Sequence, residues 1–274
     1  MRKYISIIPA LLACSMAAQE HSAVSGRIIG PDGAAVEYAS VGICGRNIGT
    51  LSASNGEFTL NADIMENDSV KISHISYKDT VVAAVALADR SIPVVMQARK
   101  LDEVVVYGGK KKKGRLAGRG MRIPGAATMW STAGVGSEIG SMIETEKMFE
   151  VKEIAFKVRS NSIEGARLRI NIYNEKNGFQ NVLHSPIYII IPVSGKKQEF
   201  NVAVNGDIIM EPGKYFVSVM FVDYDREAMA CSTDEGRICF PLYLKDSYRR
   251  NGVMGELESI SVNMGLAVRG NEYR

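Results

Sequence analysis

Residues 24–60 read VSGRIIGPDGAAVEYASVGICGRNIGTLSASNGEFTL, short apolar runs cut at close intervals by turn residues. In Pro31-Asp32-Gly33 the proline sets φ, the aspartate can bond the backbone, and the glycine can turn left-handed; Ser54-Asn55-Gly56 makes a second turn. Segments this short suit strands and are too short for helices. Around them the chain predicts strands at residues 24–29, 36–43, 58–60, 70–73, 77–82, 92–96 and 101–107. This spacing, with almost no helical period, argues for an antiparallel sandwich over residues 22–107.

The second half repeats the argument with a clearer period. Ile154, Phe156 and Val158 alternate, as do Leu168, Ile170 and Ile172 against Arg167, Arg169 and Asn171. Ile260, Val262, Met264, Leu266 and Val268 alternate against Ser261, Asn263, Gly265 and Ala267. A period of two sustained this long means strands with one buried face. Residues 187–191, 215–222 and 238–244 are more continuously apolar, as central strands are. With 46% hydrophobic and 23% charged residues, each half can fill a core. The expected architecture is all-β, with two β-sandwich domains at 22–107 and 126–274, the second jelly-roll-like. Residues 108–124, GGKKKKGRLAGRGMRIP, have no apolar period and are expected as a basic Gly/Lys-rich linker. Its cations form a solvated spacer or, alternatively, a tether for an anionic surface such as lipopolysaccharide headgroups.

The first block carries a resemblance. Val24, Gly26, Ile28, Asp32, Val36, Ala39, Val41, Gly49, Thr50, Ser52, Asn55, Gly56, Phe58 and Leu60 resemble the pattern of the carboxypeptidase regulatory-like domain, as do residues 75–77 and 101–106. The resemblance covers less than a third of the chain. It implies a transthyretin-like sandwich of the Gram-negative envelope, non-catalytic in the larger enzymes that contain it. Ala35 and Ser76 stand where the family usually has Pro and Gly. In relatives the domain often precedes an outer-membrane transporter. A barrel of about 22 strands at about 10 residues each does not fit into residues 126–274. The run 136–140 with 169–173 resembles the uncharacterised half that often accompanies such domains.

The N-terminus reads as a signal peptide over residues 1–20. Arg2 and Lys3 precede an apolar run at 4–13, too short for a membrane span of about 20 residues. Ser15 and Ala17 suit cleavage that releases a soluble chain. Residues 11–14, Leu-Leu-Ala-Cys, suit lipidation of Cys14 instead. The expected location is outside the cytoplasm, in the periplasm or at the outer membrane. Cys231 and Cys239 flank a turn-like stretch and are a candidate disulfide in that oxidising setting.

The chemical inventory points away from catalysis. The three histidines, His21, His74 and His184, lie in no zinc-ligand spacing. No nucleophile elbow is present, and Cys44 reads as a core thiol. Glu144, Glu146, Asp223, Asp225, Asp234 and Glu235 are carboxylates from which spacing selects no glycosidase pair. Asp223-Tyr224-Asp225 is a candidate calcium loop, more readily a solvated one. Trp130, Tyr224, Tyr243 and Tyr248 are candidate sugar-stacking rings. A net charge of +3 does not argue for nucleic acid. The sequence therefore suggests a non-catalytic envelope module without cofactor or metal, binding an envelope protein or surface polysaccharide. It would meet the membrane only through a lipid anchor, and no residue pattern specifies an oligomeric state. The alternatives are a secreted hydrolase with a carboxylate site in the second sandwich, or a structural spacer lipoprotein.

Overall fold

A computed structural model describes residues 23–87, 93–99, 109–205, 208–232 and 235–273. Among them the chain is all-β with one short helix. The first block contains β1 (Ala23–Ile29), β2 (Ser40–Ile43), β3 (Gly49–Leu51), β4 (Glu57–Asn61), β5 (Ser69–Ser73), β6 (Thr80–Ala83) and β7 (Val94–Val95). The second contains β8 (Lys111–Ala117), β9 (Met121–Trp130), β10 (Glu138–Thr145), β11 (Phe149–Val158), β12 (Ser160–Asn161), β13 (Arg167–Asn174), β14 (Gln180–Asn181) and β15 (Ile187–Ile190). It continues with β16 (Gln198–Ala203), β17 (Ile209–Met210), β18 (Gly213–Asp223), α1 (Arg226–Ala230), β19 (Ile238–Arg250), β20 (Glu258–Asn263) and β21 (Ala267–Tyr273).

In the first block the sheets β4-β1-β7 and β3-β2-β5-β6 enclose one core, with Val24, Ile28 and Phe58 from one and Val41, Val70 and Ile72 from the other. Both expected turns form. Gly33 and Gly56 take φ of 79° and 80°, where a side chain would be strained, and the Asp32 carboxylate accepts from the Ala34 amide at 3.1 Å. The strand expected at 36–43 begins only at Ser40. Residues 36–39 turn instead, with Tyr38 at φ 54°. The Ser52 hydroxyl holds that turn, donating to the Val36 carbonyl at 2.7 Å and accepting from the Ala39 amide at 2.9 Å. The strand expected at 101–107 lies outside the described residues.

In the second block the nine-stranded sheet is built on the path β12-β19-β10-β18-β13-β14, and its partner is β16-β11-β21-β8 with β17. Between them lie Ile139, Leu168, Ile170, Val217, Val219 and Phe240 from the larger sheet, and Phe149, Ile154, Phe156 and Val268 from the smaller. The segment expected as a linker is largely strand. β8 pairs with β21 from Lys111↔Tyr273 to Ala117↔Ala267, and β9 pairs with β19. Pairing with β21 satisfies a ladder of backbone groups, and Leu116 reaches the core, which the basic composition conceals. The Gly- and Ser-rich stretch after Trp130 holds a short 3₁₀ turn at Thr132–Gly134 and then β10.

Cys231 is the C-cap residue of α1. Cys239 lies in β19, between Ser160 and Met129. The two do not face each other across a hairpin, and both are free thiols, so the expected disulfide is not formed. Cys44, expected in the core, is an exposed free thiol because β2 ends at Ile43 and Gly45 (φ 74°) turns the chain outward.

Candidate functional site: a polar seam on the larger sheet

The alternation in β13 places Leu168, Ile170 and Ile172 inward, as expected. The opposite face is not left to solvent. Arg169 is 6% exposed and Asn171 fully buried. The register carries one row across five strands: Arg250 (β19), Glu138 (β10), Met220 (β18), Arg169 (β13) and Tyr188 (β15). The next row holds Gly140, Ser218 and Asn171. A charged row under cover is stable only when its groups are matched.

Glu138 is the centre of that match, with its side chain fully buried. One carboxylate oxygen accepts from Asn171 Nδ2 and from the Ser218 hydroxyl, both at 2.6 Å. The other accepts from the Tyr173 hydroxyl at 3.4 Å and lies 3.5 Å from Arg250 Nε as an ion pair without hydrogen-bond geometry. Asn171 is oriented by Asn181, whose amide donates to its Oδ1 at 3.2 Å. Burial and the neighbouring carboxylate push the Tyr173 phenol far above its ordinary value. Each Glu138 oxygen thus has at least one partner. A cleft of about 370 Å³ opens beside it, lined by Trp130, Ser131, Ser137, Arg249, Arg250 and Asn251.

Around Met220, Arg169 and Tyr188 the cover comes from the first block. Tyr38 is 1% exposed and belongs to a cluster with Met220 and Val222, flanked by Leu51 and Tyr188. Its hydroxyl donates to Asp223 Oδ2 at 3.0 Å and accepts from Arg167 Nη1 at 2.9 Å. Its carbonyl accepts from Arg169 Nη1 at 3.2 Å, and its ring meets Tyr188 edge-on at 5.2 Å. Burial beside Asp223 drives the Tyr38 phenol well up, and burial pushes Tyr188 to about 12. A left-handed tyrosine costs roughly 1–3 kcal/mol, so the contacts around it must over-determine its conformation. Ile75 enters the second block's core cluster, and Ser76 Oγ donates to the His184 carbonyl at 3.4 Å. From the other side, Met254 packs so closely on Gly42 and Gly49 that a Cβ at either would collide with it.

The seam is not fully matched. His74 Nε2, Arg169 Nε and the Tyr188 hydroxyl are buried without a hydrogen-bond partner. Burial, with Arg169 and Arg99 nearby, holds the His74 imidazole down to about 4, so it stays neutral beside those cations. Its Nδ1 accepts from the Ser76 amide at 3.2 Å. At the rim a second cleft of about 370 Å³ is lined by Tyr38, Leu51, Phe58, Val222, Asp223 and Arg226, and so joins both blocks.

The residues singled out from sequence scatter. Cys14, His21 and Asp234 lie outside the described residues. His184 is exposed, as are Glu144, Glu146 and Glu235. Asp223 meets Tyr38, while Asp225 caps α1 by accepting from the Ala228 amide at 2.9 Å, so the candidate calcium loop uses its carboxylates separately. No group of three potential metal ligands occurs among the described residues. Trp130 is buried against Phe221 and Phe240, Tyr243 is buried beneath Arg119, and Tyr224 and Tyr248 pack on Phe221 and Phe216. None of these rings joins another of the four as a platform. Glu138, Tyr38, Ser218 and Arg250 were missed. Only the strand alternation around 167–173 signalled the face that gathers them.

No protein-family model matches the chain, and no protein of curated function shows significant similarity to it. Among solved structures, a family two carbohydrate esterase from Cellvibrio japonicus is similar at 10% identity and a TM-score of 0.23, over 60% of this chain and 36% of that one. The structure of infectious bursal disease virus Gx strain is similar at 11% identity and a TM-score of 0.31, over 90% of this chain and 55% of that one. The chain thus spans about a third to just over half of their lengths, and likenesses this weak carry no argument.

Proposed function

We propose that this chain is a non-catalytic binding or assembly module of the cell envelope. In this reading a transthyretin-like sandwich of the carboxypeptidase regulatory-like kind docks on a jelly-roll-like one. Residues 1–20 direct export, and Cys14 is the lipidation candidate. The observation that supports it is the seam: clustered ionisable side chains join the two blocks, and the Glu138 side chain is fully buried among donors of its own sheet. What remains for a partner is open surface and sheet edge, where another chain can pair or a glycan can lie. Affinity capture from envelope extracts tests this, with a reproducible protein or polysaccharide partner as the expected result. Repeated capture of nothing above a control sandwich would overturn it. Metabolic labelling with a lipid tests the Cys14 anchor separately.

A second reading, a secreted hydrolase, draws on one observation, the buried Glu138 at the side of a cleft. Turnover of a peptide or glycan that disappears in Glu138→Gln while the fold persists would establish it in place of the first.

A further inference from the structure

Between Lys110 and Arg122 the chain carries seven cations and no acidic residue. The fold arrays them as a surface. In β8, Leu116 turns to the core and Gly114 approaches Phe149, so Lys111, Lys113 and Arg115 project from the outer face. Lys111 is engaged by Glu150 at 3.2 Å and by the Tyr273 ring at 4.9 Å. Lys113 and Arg115 make no ion pair among the described residues. Arg115 stands directly opposite Arg269, which already holds Glu153 and Asn201. Glu153 and Glu199, the latter at 3.9 Å, already compensate Arg269, so Arg115 is the cation of that opposed pair left for a further anion.

An apolar feature sits where β8 passes into β9. Met121 is 69% exposed and Leu244 46% exposed, and they are cross-strand partners. They are flanked in sequence by Arg119, Arg122 and Lys245, and Arg119 lies over the Tyr243 ring at 5.3 Å. Single exposed hydrophobic residues are ordinary. A registered pair inside a basic cluster is the pattern of a surface that meets lipid, with cations for the headgroups and apolar side chains for the acyl boundary. Lysines on an edge strand also block unwanted pairing. That role accounts for Lys111–Lys113, but not for Arg115 against Arg269 or for the Met121–Leu244 pair.

We propose that the corner between β8 and β9 docks on an anionic lipid surface. Lys113, Arg115 and Arg119 lie over phosphate-bearing headgroups, and Met121 and Leu244 enter the acyl boundary. The inference stands on this surface alone and does not need the envelope reading. Each basic side chain near such a surface strengthens binding roughly fivefold.

The test is flotation of the full chain with phosphatidylcholine vesicles, with and without phosphatidylglycerol. The N-terminal segment is common to every variant, so differences between variants report the corner. The expected result is preference for the anionic vesicles, weakened about 25-fold in Arg115→Gln/Arg119→Gln. Lys176→Gln/Lys197→Gln, which removes equal charge elsewhere, changes binding far less. Met121→Ser/Leu244→Ser weakens vesicle binding while leaving retention on a soluble polyanion unchanged. Equal binding to neutral vesicles overturns the proposal, as does an arginine variant that matches the control. An unchanged Met121→Ser/Leu244→Ser variant also overturns it and points to an acidic polysaccharide. Lys113→Gln, an exposed residue without an ion pair, repeats the charge test if the arginine variant unfolds.

Discussion

Replacing Glu138 by Gln decides whether that carboxylate holds the seam or serves a ligand. Glutamine keeps the shape. Asn171 stays a donor toward position 138 because its own Oδ1 accepts from Asn181, so the glutamine carbonyl must face Asn171 and Ser218. The new amide N–H groups then point at Arg250 Nε, a donor that cannot turn. The Tyr173 hydroxyl can turn. Breaking a buried pair by removing one partner costs about 3–5 kcal/mol. Arg250 keeps a quarter of its side chain in solvent, which sets the expected loss near the bottom of that range, at about 3 kcal/mol. In a chain of this size that is a fall in Tm of about 6–12 °C. Thermal melts and urea midpoints at unchanged m-value measure it. Adding Arg250→Met should restore part of the loss, because the stranded cation leaves with it. A Glu138→Gln protein as stable as the parent, or more stable, would refute the reasoning, since gains of that kind mark residues kept for function.

Tyr38→Phe removes the hydroxyl that links Arg167 to Asp223 and should lower the urea midpoint by the equivalent of about 1–3 kcal/mol, with the fold intact by circular dichroism. His74 is held down to about 4 in the folded chain but takes its proton near 6.5 when unfolded. Stability therefore declines as pH falls from 6.5 toward 4, and His74→Gln should flatten that part of a stability–pH profile. Glu150 is held down to about 2, chiefly by hydrogen bonds from Asn271 and Lys152. Its contribution is complete above the unfolded value of about 4.5 and disappears as pH falls toward 2, so Glu150→Gln should blunt acid unfolding at that end. Of the described thiols, Cys44 and Cys231 should label rapidly in the native protein and Cys239 slowly, as mass spectrometry over time would show.

The turns at Gly33 and Gly56 and the inward residues of β13 were legible because they depend on near neighbours, whereas the single strand expected over 260–268 breaks at 264–266 and buries Asn263 and Ala267 as well. A left-handed glycine or a period of two is a local property of the chain. The basic segment was misread for a related reason: Leu116 is the only apolar residue in β8 that reaches the core, and one residue makes no period. The strand exists because β21 offered an edge to pair, a long-range fact. Tyr38 was placed in a strand because nothing in its own type announces a left-handed turn. Ser52, more than ten residues away, imposes it.

Local sequence alone established an all-β chain, the positions of its tightest turns and the side of β13 that faces a core. What lies over the other side was decided only by the fold. A strand's polar face reads the same whether it meets water or another part of the protein, since the burial of Arg169, Asn171 and Glu138 depends on groups brought from distant positions. The match between Glu138 and its donors on three other strands is therefore a tertiary fact. It exists only once β10, β13, β18 and β19 are in register.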